Sequence, residues 1–190
     1  MRKKNKILHN KFGREDLEKQ LALESFERTT LSFYKYVIIE DPWTLRKDLF
    51  IKWDELKVKG RIYIAKEGIN AQLSCPNPNW DKFVKSVRSI EGFEDVPFKI
   101  AVEENLNSFL KLAIKVKKQI VADGLNSNEY DVTNVGKHLS AKEWNECMNN
   151  GAIVVDVRNH YESRIGHFKG ALKPDVDTFR EELPLIKEKL

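Results

Sequence analysis

The stretch that decides the fold is residues 60–74, which read GRIYIAKEGINAQLS. It contains two runs rich in β-branched and aromatic residues, 61–65 and 69–75, and only Lys66-Glu67-Gly68 separates them. Such runs are typical of strands, and a glycine in so short a connection permits the left-handed backbone that a tight turn needs. The stretch therefore predicts two antiparallel strands joined by a tight hairpin.

Further elements are predicted on both sides of this hairpin. Before it, residues 29–39 have the composition of a strand, and Asp41-Pro42 begins a helix because proline is tolerated at the first helical position. After it, Asn79 is the predicted cap of a second helix, and residues 98–102 form a fourth strand. The order strand, helix, strand, strand, helix, strand is the split βαβ pattern, so a ferredoxin-like α+β domain is predicted.

A last, half-exposed strand is predicted over residues 112–121, where apolar and basic residues alternate through Lys118. In a regular strand, alternate side chains share a face. One face then carries Lys111, Lys115 and Lys117, and the other carries Ile114, Val116 and Lys118.

The carboxyl-terminal region has the pattern of a different fold class. Ser140 and Glu143 form a capping box, as do Thr178 and Glu181, and residues 153–157 are the almost wholly apolar run of a buried parallel strand. One strand does not make a parallel sheet, so an incomplete α/β domain is predicted. The predicted organisation is an extension over 1–28, a ferredoxin-like domain over 29–122, a linker over 123–135 and the opening of the α/β domain over 136–190.

Composition excludes several classes of protein. The chain has 190 residues, of which 41% are hydrophobic and 33% charged, a globular balance without the run of roughly 18 apolar residues that a membrane helix needs. The basic start lacks the apolar segment of a secretory signal, so a cytoplasmic protein is predicted. The net charge of +4 arises in the first two thirds of the chain, and such an excess can attract RNA.

Metal and cofactor sites are not predicted. The four histidines, His9, His138, His160 and His167, lack metal-ligand spacing, and the two cysteines cannot form a four-cysteine site. Neither a dinucleotide fingerprint nor a P-loop occurs, so no cofactor is identifiable.

The segment from Asp156-Val157-Arg158 through Glu162 to Gly166-His167 and Gly170-Ala171 resembles the rhodanese domain. The resemblance implies that Asp156, Arg158 and Glu162 support a site whose chemistry belongs to a cysteine on a later loop. Cys75 and Cys147 lack the glycine-rich turn that such a thiolate needs, so both are predicted to be structural. Within these residues no catalytic nucleophile is predicted.

Residues 60–74, together with 27–36 and Asn134-Val135-Gly136, resemble the rhodanese-containing tRNA uridine hydroxylases. The resemblance covers essentially the whole chain, in the same order. It implies an enzyme that hydroxylates the wobble uridine of tRNA at C5, with molecular oxygen as co-substrate and the tRNA anticodon arm as partner. It also implies that the chain is the amino-terminal part of a longer protein, whose reactive cysteine lies beyond Leu190.

Basic and aromatic side chains are the candidate RNA-binding residues. Those predicted to hold the RNA backbone are Arg61, Lys66, Lys115, Lys117 and Lys118. Tyr34 and Tyr63 are candidates for stacking an unpaired base. Ala113 stands where the family pattern tends to be basic, which would weaken such a face.

Several alternatives stay open at this point. An aromatic residue in an alternating strand is more often part of a core, and lysines on an edge strand often serve to prevent edge-to-edge pairing. The competing functions are a rhodanese-type sulfurtransferase and a non-catalytic module that binds RNA or protein.

Overall fold

The computed structural model describes residues 12–102, 109–121, 130–131, 134, 136–173, 176 and 179–189. The chain divides into two compact units, Met1–Ile120 and Val121–Leu190. In the first unit, the helices are α1 (Arg14–Ala22), α2 (Pro42–Glu55) and α3 (Trp80–Arg88), and the strands are β1 (Arg28–Tyr36), β2 (Lys59–Ala65), β3 (Gly68–Pro76), β4 (Lys99–Ile100) and β5 (Leu112–Val116).

These strands form one five-stranded sheet in the order β4-β1-β3-β2-β5. β1 pairs antiparallel with β3 and β4, and β2 pairs antiparallel with β3, as the hairpin requires. β5 adds to the free edge of β2 in parallel. Arranged as β-α-β-β-α-β with one added strand, the first unit confirms the predicted ferredoxin-like fold.

The ends of several elements differ from the sequence-based expectation. β4 has two residues where 98–102 were predicted, and β5 ends at Val116, well before 121. Asp41 does cap α2, since its side chain accepts from the amides of Trp43 and Thr44, both at 3.0 Å. Asn79 is at the N-cap position of α3, but its side-chain amide donates to the carbonyl of Leu56 at 3.0 Å. The side chain therefore makes no capping hydrogen bond to the first backbone amides of α3.

The hairpin between β2 and β3 depends on Gly68. Its φ of +147° lies where L side chains are rarely found, and a Cβ there would collide with the carbonyl oxygen of Lys35. The close approach lets the segment after β1 pair with the turn, because the amide of Val37 donates to the carbonyl of Glu67 at 3.0 Å. The predicted tight turn is therefore confirmed.

The hydrophobic core lies between the sheet and the two helices α2 and α3. Trp53 of α2 and Phe83 of α3 are completely buried and their rings are 5.4 Å apart between centroids. Both belong to the same cluster as the strand residues Ile62, Ile64 and Leu73. The two helices therefore cover one and the same face of the sheet.

The second unit contains α4 (Ala141–Asn149), α5 (His160–Ile165) and α6 (Phe179–Lys189). The capping box of Ser140 and Glu143 is present in full at the start of α4. Thr178 of the other predicted box lies outside the described residues.

The prediction of a buried parallel strand over 153–157 is wrong. Only an isolated parallel bridge joins Val155 to Leu172, and Ile153 and Val157 are 67% and 44% exposed. A parallel strand is buried when strands flank it and helices cover both faces. Across 136–173, 176 and 179–189 the structure supplies one short partner segment, around Leu172, so the apolar run remains partly exposed.

Candidate nucleic-acid interface

The sheet of the first unit has one face that neither α2 nor α3 covers. Alternate residues of each strand point to it, because successive side chains in a strand point to opposite sides. We call the following nine residues of this surface the open face, and each is exposed or half-buried: Ser32, Tyr34, Arg61, Tyr63, Asn70, Gln72, Lys99, Ala113 and Lys115. Thr30 and Tyr36 lie on the same side of β1, and the ring of Tyr36 meets that of Tyr34 edge-on, with centroids 6.3 Å apart.

Strand register arranges the open face in rows across the sheet. One row runs Tyr34, Asn70, Tyr63, Lys115, since Tyr34 and Tyr63 both pair with Asn70 and Tyr63 also pairs with Lys115. The adjacent row runs Lys99, Ser32, Gln72, Arg61, Ala113. Each row thus combines a central amide with cations toward one or both edges.

The cations of the open face are not neutralised within the part of the chain that the structure describes. No salt bridge there involves Arg61, Lys99, Lys115 or the neighbouring Lys117. By contrast, Lys35, which points to the opposite side of β1, pairs with Asp95 at 2.7 Å. Unpaired cations on one surface attract a polyanion.

Two lysines also lie over tyrosine rings of this face. The ammonium of Lys99 is 5.8 Å from the ring centroid of Tyr34, and that of Lys117 is 5.5 Å from the centroid of Tyr63. Lys117 reaches this position because its amide donates to the carbonyl of Ile64 at 2.8 Å, which extends the parallel pairing past the end of β5. Each pair holds a cation beside an aromatic surface.

Where β1 and β2 begin, cations on the same side of the sheet are instead buried and paired. Arg28 donates through Nε to Glu24 at 2.6 Å and through Nη2 to the carbonyl of Lys57 at 2.9 Å. The Nζ of Lys59 lies 2.8 Å from the other oxygen of Glu24. Burial raises the pKa of Glu24, but the hydrogen bonds from Arg28 and Lys59 outweigh it and lower that pKa below its ordinary value. These cations stabilise the fold and are not available to a ligand.

The structure brings most of the candidate RNA-binding residues together. Tyr34, Tyr63, Arg61 and Lys115 share the open face, and Lys117 adjoins it. The last two candidates are exposed but lie outside the rows, Lys66 in the hairpin turn and Lys118 two residues past β5.

Asn70, Gln72 and Lys99 are members of the open face that the sequence analysis missed. Their signal is present in the sequence as the same two-residue alternation that marks Tyr34 and Tyr63. The alternation alone does not show which residues are neighbours across the sheet. That requires the register of β1 against β3 and β4.

In the second unit, Asp156 and Arg158 form an ion pair. Asp156 accepts from the Nε of Arg158 at 2.9 Å and from its Nη2 at 2.6 Å, and these bonds hold the pKa of Asp156 below its usual range. The same Nη2 donates to the carbonyl of Gly166 at 2.6 Å. Arg158 thus closes the loop that follows Asp156. Glu162, predicted to help hold this arginine, accepts from the side chain of Asn159 at 2.9 Å.

A buried carboxyl lies near this ion pair. Glu182 of α6 is 1% exposed, and burial together with the negative charge of Asp156 raises its pKa. His167 is held through Nδ1 by the carbonyl of Ser163 at 2.8 Å, and its Nε2 is 3.1 Å from the ammonium of Lys173.

Both cysteines are predicted to be structural, and the structure places Cys75 in the core but leaves Cys147 exposed. Cys75 is buried in β3, and that burial raises the pKa of its thiol to about 12, so it carries no thiolate at neutral pH. Cys147 lies on the surface of α4, within the helix and not on a loop. Among the described residues, no group of His, Cys, Asp or Glu could hold a metal ion. No helix in that part of the chain is long and apolar enough to cross a membrane.

Comparison with known proteins finds a family model that resembles most of the first unit. Residues 28–120 match the family described as UPF0176 acylphosphatase like domain. The matched range begins at the first residue of β1 and ends at Ile120, so it covers the whole sheet.

Curated relatives extend the similarity to nearly the whole chain. A protein of Leptospira interrogans named tRNA uridine(34) hydroxylase is 59% identical over 98% of this chain and 51% of its own length. Proteins of the same name from Pectobacterium carotovorum and Hamiltonella defensa are 43% and 41% identical over 97% of this chain and 52% of theirs. The chain therefore spans about half the length of the curated relatives it matches. The resemblance found in the sequence is confirmed, and this chain is a homologue of the tRNA uridine(34) hydroxylases.

Proposed function

We propose that this chain is part of a cytoplasmic tRNA uridine(34) hydroxylase and that its open face holds the anticodon arm of tRNA. The proposed reaction is hydroxylation of the wobble uridine at C5, with molecular oxygen as co-substrate. The observation that carries the proposal is a sheet face with unpaired cations, the exposed Tyr34 and the half-buried Tyr63, in a chain 59% identical to a relative of that name.

The cations of the open face are suited to hold an RNA backbone. Arg61, Lys115 and Lys117 lie on or beside two neighbouring strands, β2 and β5, whose parallel pairing fixes their spacing. Phosphate contacts position a nucleic acid without reading its sequence, and each neutralised phosphate releases counterions. We assign this positioning role to these three residues and to Lys99, with Lys66 and Lys118 at the margin.

Residues 136–190 are proposed to be the first part of a rhodanese domain, which follows a ferredoxin-like domain and a linker. The ion pair of Asp156 and Arg158 supports this assignment, because it orders the loop between Asp156 and Gly166. Neither cysteine of this sequence is suited to be the nucleophile, since Cys75 is a buried thiol and Cys147 lies within a helix. We propose that the reactive cysteine belongs to a segment outside these 190 residues.

The test is to express the gene that contains this sequence in a bacterium lacking its own tRNA uridine(34) hydroxylase. Transfer RNA is then digested to nucleosides, and mass spectrometry measures the uridine that has gained one oxygen atom. We expect that nucleoside to appear and to map to position 34. Its absence, in a strain that makes the protein at normal levels, would contradict the proposal.

Charge variants connect the activity to the open face. The double variant Arg61→Ala, Lys115→Ala is expected to reduce the hydroxylated fraction, because both lost cations belong to the proposed tRNA surface. The matched control is Lys82→Ala, Lys85→Ala, which removes two exposed lysines from α3 on the covered side of the sheet. Equal loss in both double variants would assign the effect to net charge and not to the open face.

The same preparations separate the competing functions. Binding of tRNA without any hydroxylated uridine would favour a non-catalytic RNA-binding module. Transfer of sulfur from thiosulfate that is independent of RNA would favour a sulfurtransferase.

A further inference from the structure

We propose that the open face binds single-stranded RNA as two consecutive nucleotide sites, with one unpaired base stacked on Tyr34 and another on Tyr63. The inference rests on the proposed function for its choice of RNA as the ligand. It adds that the ligand is unpaired and that two bases are held separately.

The backbone positions of the two tyrosines are further apart than the span of one base held between two rings. Tyr34 on β1 and Tyr63 on β2 are in the same row, and Asn70 of β3 lies between them. Adjacent strands are about 4.8 Å apart, so the backbones of the two tyrosines are separated by about 10 Å. A single base between two rings would need about 7 Å, twice the 3.4 Å stacking distance of nucleic acids. The rings therefore serve neighbouring bases.

Each ring has its own cation. Lys99 lies over Tyr34 at 5.8 Å, and Lys117 lies over Tyr63 at 5.5 Å. A nucleotide has an aromatic base and an anionic phosphate, and each tyrosine–lysine pair offers a partner for both. The two pairs lie on the same face of the sheet, one on each flank of the central strand β3. A ligand that contacts both pairs therefore runs across the strands.

The central strand supplies groups that can read base edges. Asn70 lies between the two tyrosines, and Gln72 lies in the adjacent row on the same face of β3. An amide side chain offers both donors and acceptors, which complement the edges of unpaired bases. In a duplex those edges are occupied by pairing and the base faces by stacking, so only unpaired nucleotides can use this surface.

Neither tyrosine of this face belongs to the hydrophobic core cluster, although Tyr63 is half-buried. Tyr34 is 45% exposed, while its sequence neighbour Phe33, which points to the covered side, is buried against Phe98 with ring centroids 5.4 Å apart. The core of the first unit is thus complete without the rings of the open face. Surfaces that bind single-stranded nucleic acid commonly combine aromatic rings with unpaired cations.

The experiment measures binding of fluorescent RNA to the 190-residue chain. The probes are a hairpin RNA with an unpaired loop, a single strand of the loop sequence, and that strand annealed to its complement. We expect the hairpin and the single strand to bind more tightly than the duplex. Tyr34→Ala and Tyr63→Ala are each expected to weaken single-strand binding by about 5-fold to 150-fold, the range for loss of one stacked base.

Additivity and salt dependence separate stacking from charge. Because the bases are distinct, the fold-losses of Tyr34→Ala and Tyr63→Ala are expected to multiply in the double variant, and the phenylalanine variants should keep the affinity. Neither alanine change should alter the slope of log affinity against log salt. Lys99→Ala and Lys117→Ala should each reduce that slope by about 0.7, the value for one phosphate on a single strand.

Trp43→Ala is the matched aromatic control, since Trp43 is exposed on α2 and belongs to the covered side of the sheet. It is expected to leave RNA binding unchanged, and unchanged thermal midpoints show that the variants are folded. Equal affinity for duplex, or tyrosine variants that bind like the wild type, would overturn the two-site inference. The enzymatic activity is tested separately, because that part of the proposed function fails if the expressed protein does not hydroxylate uridine 34.

Discussion

The two faces of the sheet in the first unit use the same strands for opposite purposes. In β2, Ile62 and Ile64 are completely buried under α2 and α3, whereas Arg61 and Tyr63, one residue away, point to the open face. Burial of the first pair stabilises the fold by roughly 1.5–3 kcal/mol per side chain. Arg61 and Tyr63 contribute little to that core, so their side chains can serve binding without a large cost in stability. The comparison predicts that changes on the covered face affect stability and changes on the open face affect RNA affinity.

The largest effect is expected from the centre of the covered face. Trp53→Ala removes a completely buried indole that contacts Phe83, and it also removes the hydrogen bond from its Nε1 to the hydroxyl of Ser86 at 3.0 Å. We expect the free energy of unfolding to fall by about 3–5 kcal/mol, from lost burial and the cavity left behind. Denaturant-induced unfolding of the 190-residue chain measures this change.

Trp43→Ala provides the control on the same helix, because Trp43 is 67% exposed. Its effect should stay within about 0.5 kcal/mol. A comparable loss of stability in both variants would show that burial does not distinguish the two positions.

The next largest effect is expected at Gly60, where β2 and β3 approach each other closely. A Cβ at Gly60 would lie 2.6 Å from the carbonyl oxygen of Gln72 and would collide with the Cβ of Leu73. Gly60→Ala is therefore expected to destabilise the protein by about 1–3 kcal/mol through overpacking. Gly166→Ala is the control, since Gly166 has an extended backbone with no atom near the added methyl group. Similar losses at Gly60 and Gly166 would contradict the packing argument.

The two faces differ in how far the sequence alone predicts them. Period-two alternation identifies the two faces of β5, because it depends only on local geometry, and it correctly separated the exposed Lys115 from the buried Ile114. The neighbours across the sheet depend on strand register, which arises from long-range pairing. Lys99 and Asn70 were missed for that reason, although they complete the rows.

The second unit shows the opposite kind of error. The apolar run over 153–157 was expected to be buried because its composition suits a central parallel strand. Composition describes what a segment can pack against, and not whether partners are present. With Leu172 as the only bridge partner among the described residues, Ile153 stays exposed.

A smaller effect is expected at the buried charges where β1 and β2 begin. Glu24 accepts from both Arg28 and Lys59, which lowers its pKa below the ordinary value of 4.5. A carboxylate with a lowered pKa stabilises the folded state fully above its unfolded pKa and loses this contribution as pH falls through the folded pKa. Glu24→Gln is expected to cost about 1–2 kcal/mol near neutral pH. Unfolding measured from about pH 6 to about pH 3 should show the stability advantage of the wild type over the variant shrinking as the pH falls.

Glu18→Gln is the matched control for this titration. Its carboxylate pairs with Arg14 at 2.7 Å on the exposed surface of α1, so the change should have little effect at any pH. A wild-type advantage over Glu24→Gln that grows as the pH falls would contradict the sign of the lowered pKa.

The smallest effect is expected from a substitution on the open face that increases RNA affinity. Ala113 is half-buried beside Arg61 in the row that ends at β5, and no cation stands at its position. Ala113→Lys adds a cation that faces a bound phosphate. It also places a like charge opposite Arg61 in the free protein, which costs a fraction of a kcal/mol, of the order of 0.2–1. A bound phosphate relieves that repulsion, so the added lysine should favour the complex over the free chain.

We therefore expect Ala113→Lys to tighten binding of single-stranded RNA and to steepen the salt dependence by about 0.7 in slope, the value for one additional phosphate contact. Ala113→Gln, of similar length but uncharged, should leave both the affinity and the slope unchanged. Fluorescence titrations at several salt concentrations measure both quantities. If lysine and glutamine behaved alike, the row of Arg61 and Ala113 would not face phosphate. The RNA backbone would then have to follow Lys115 and Lys117 alone.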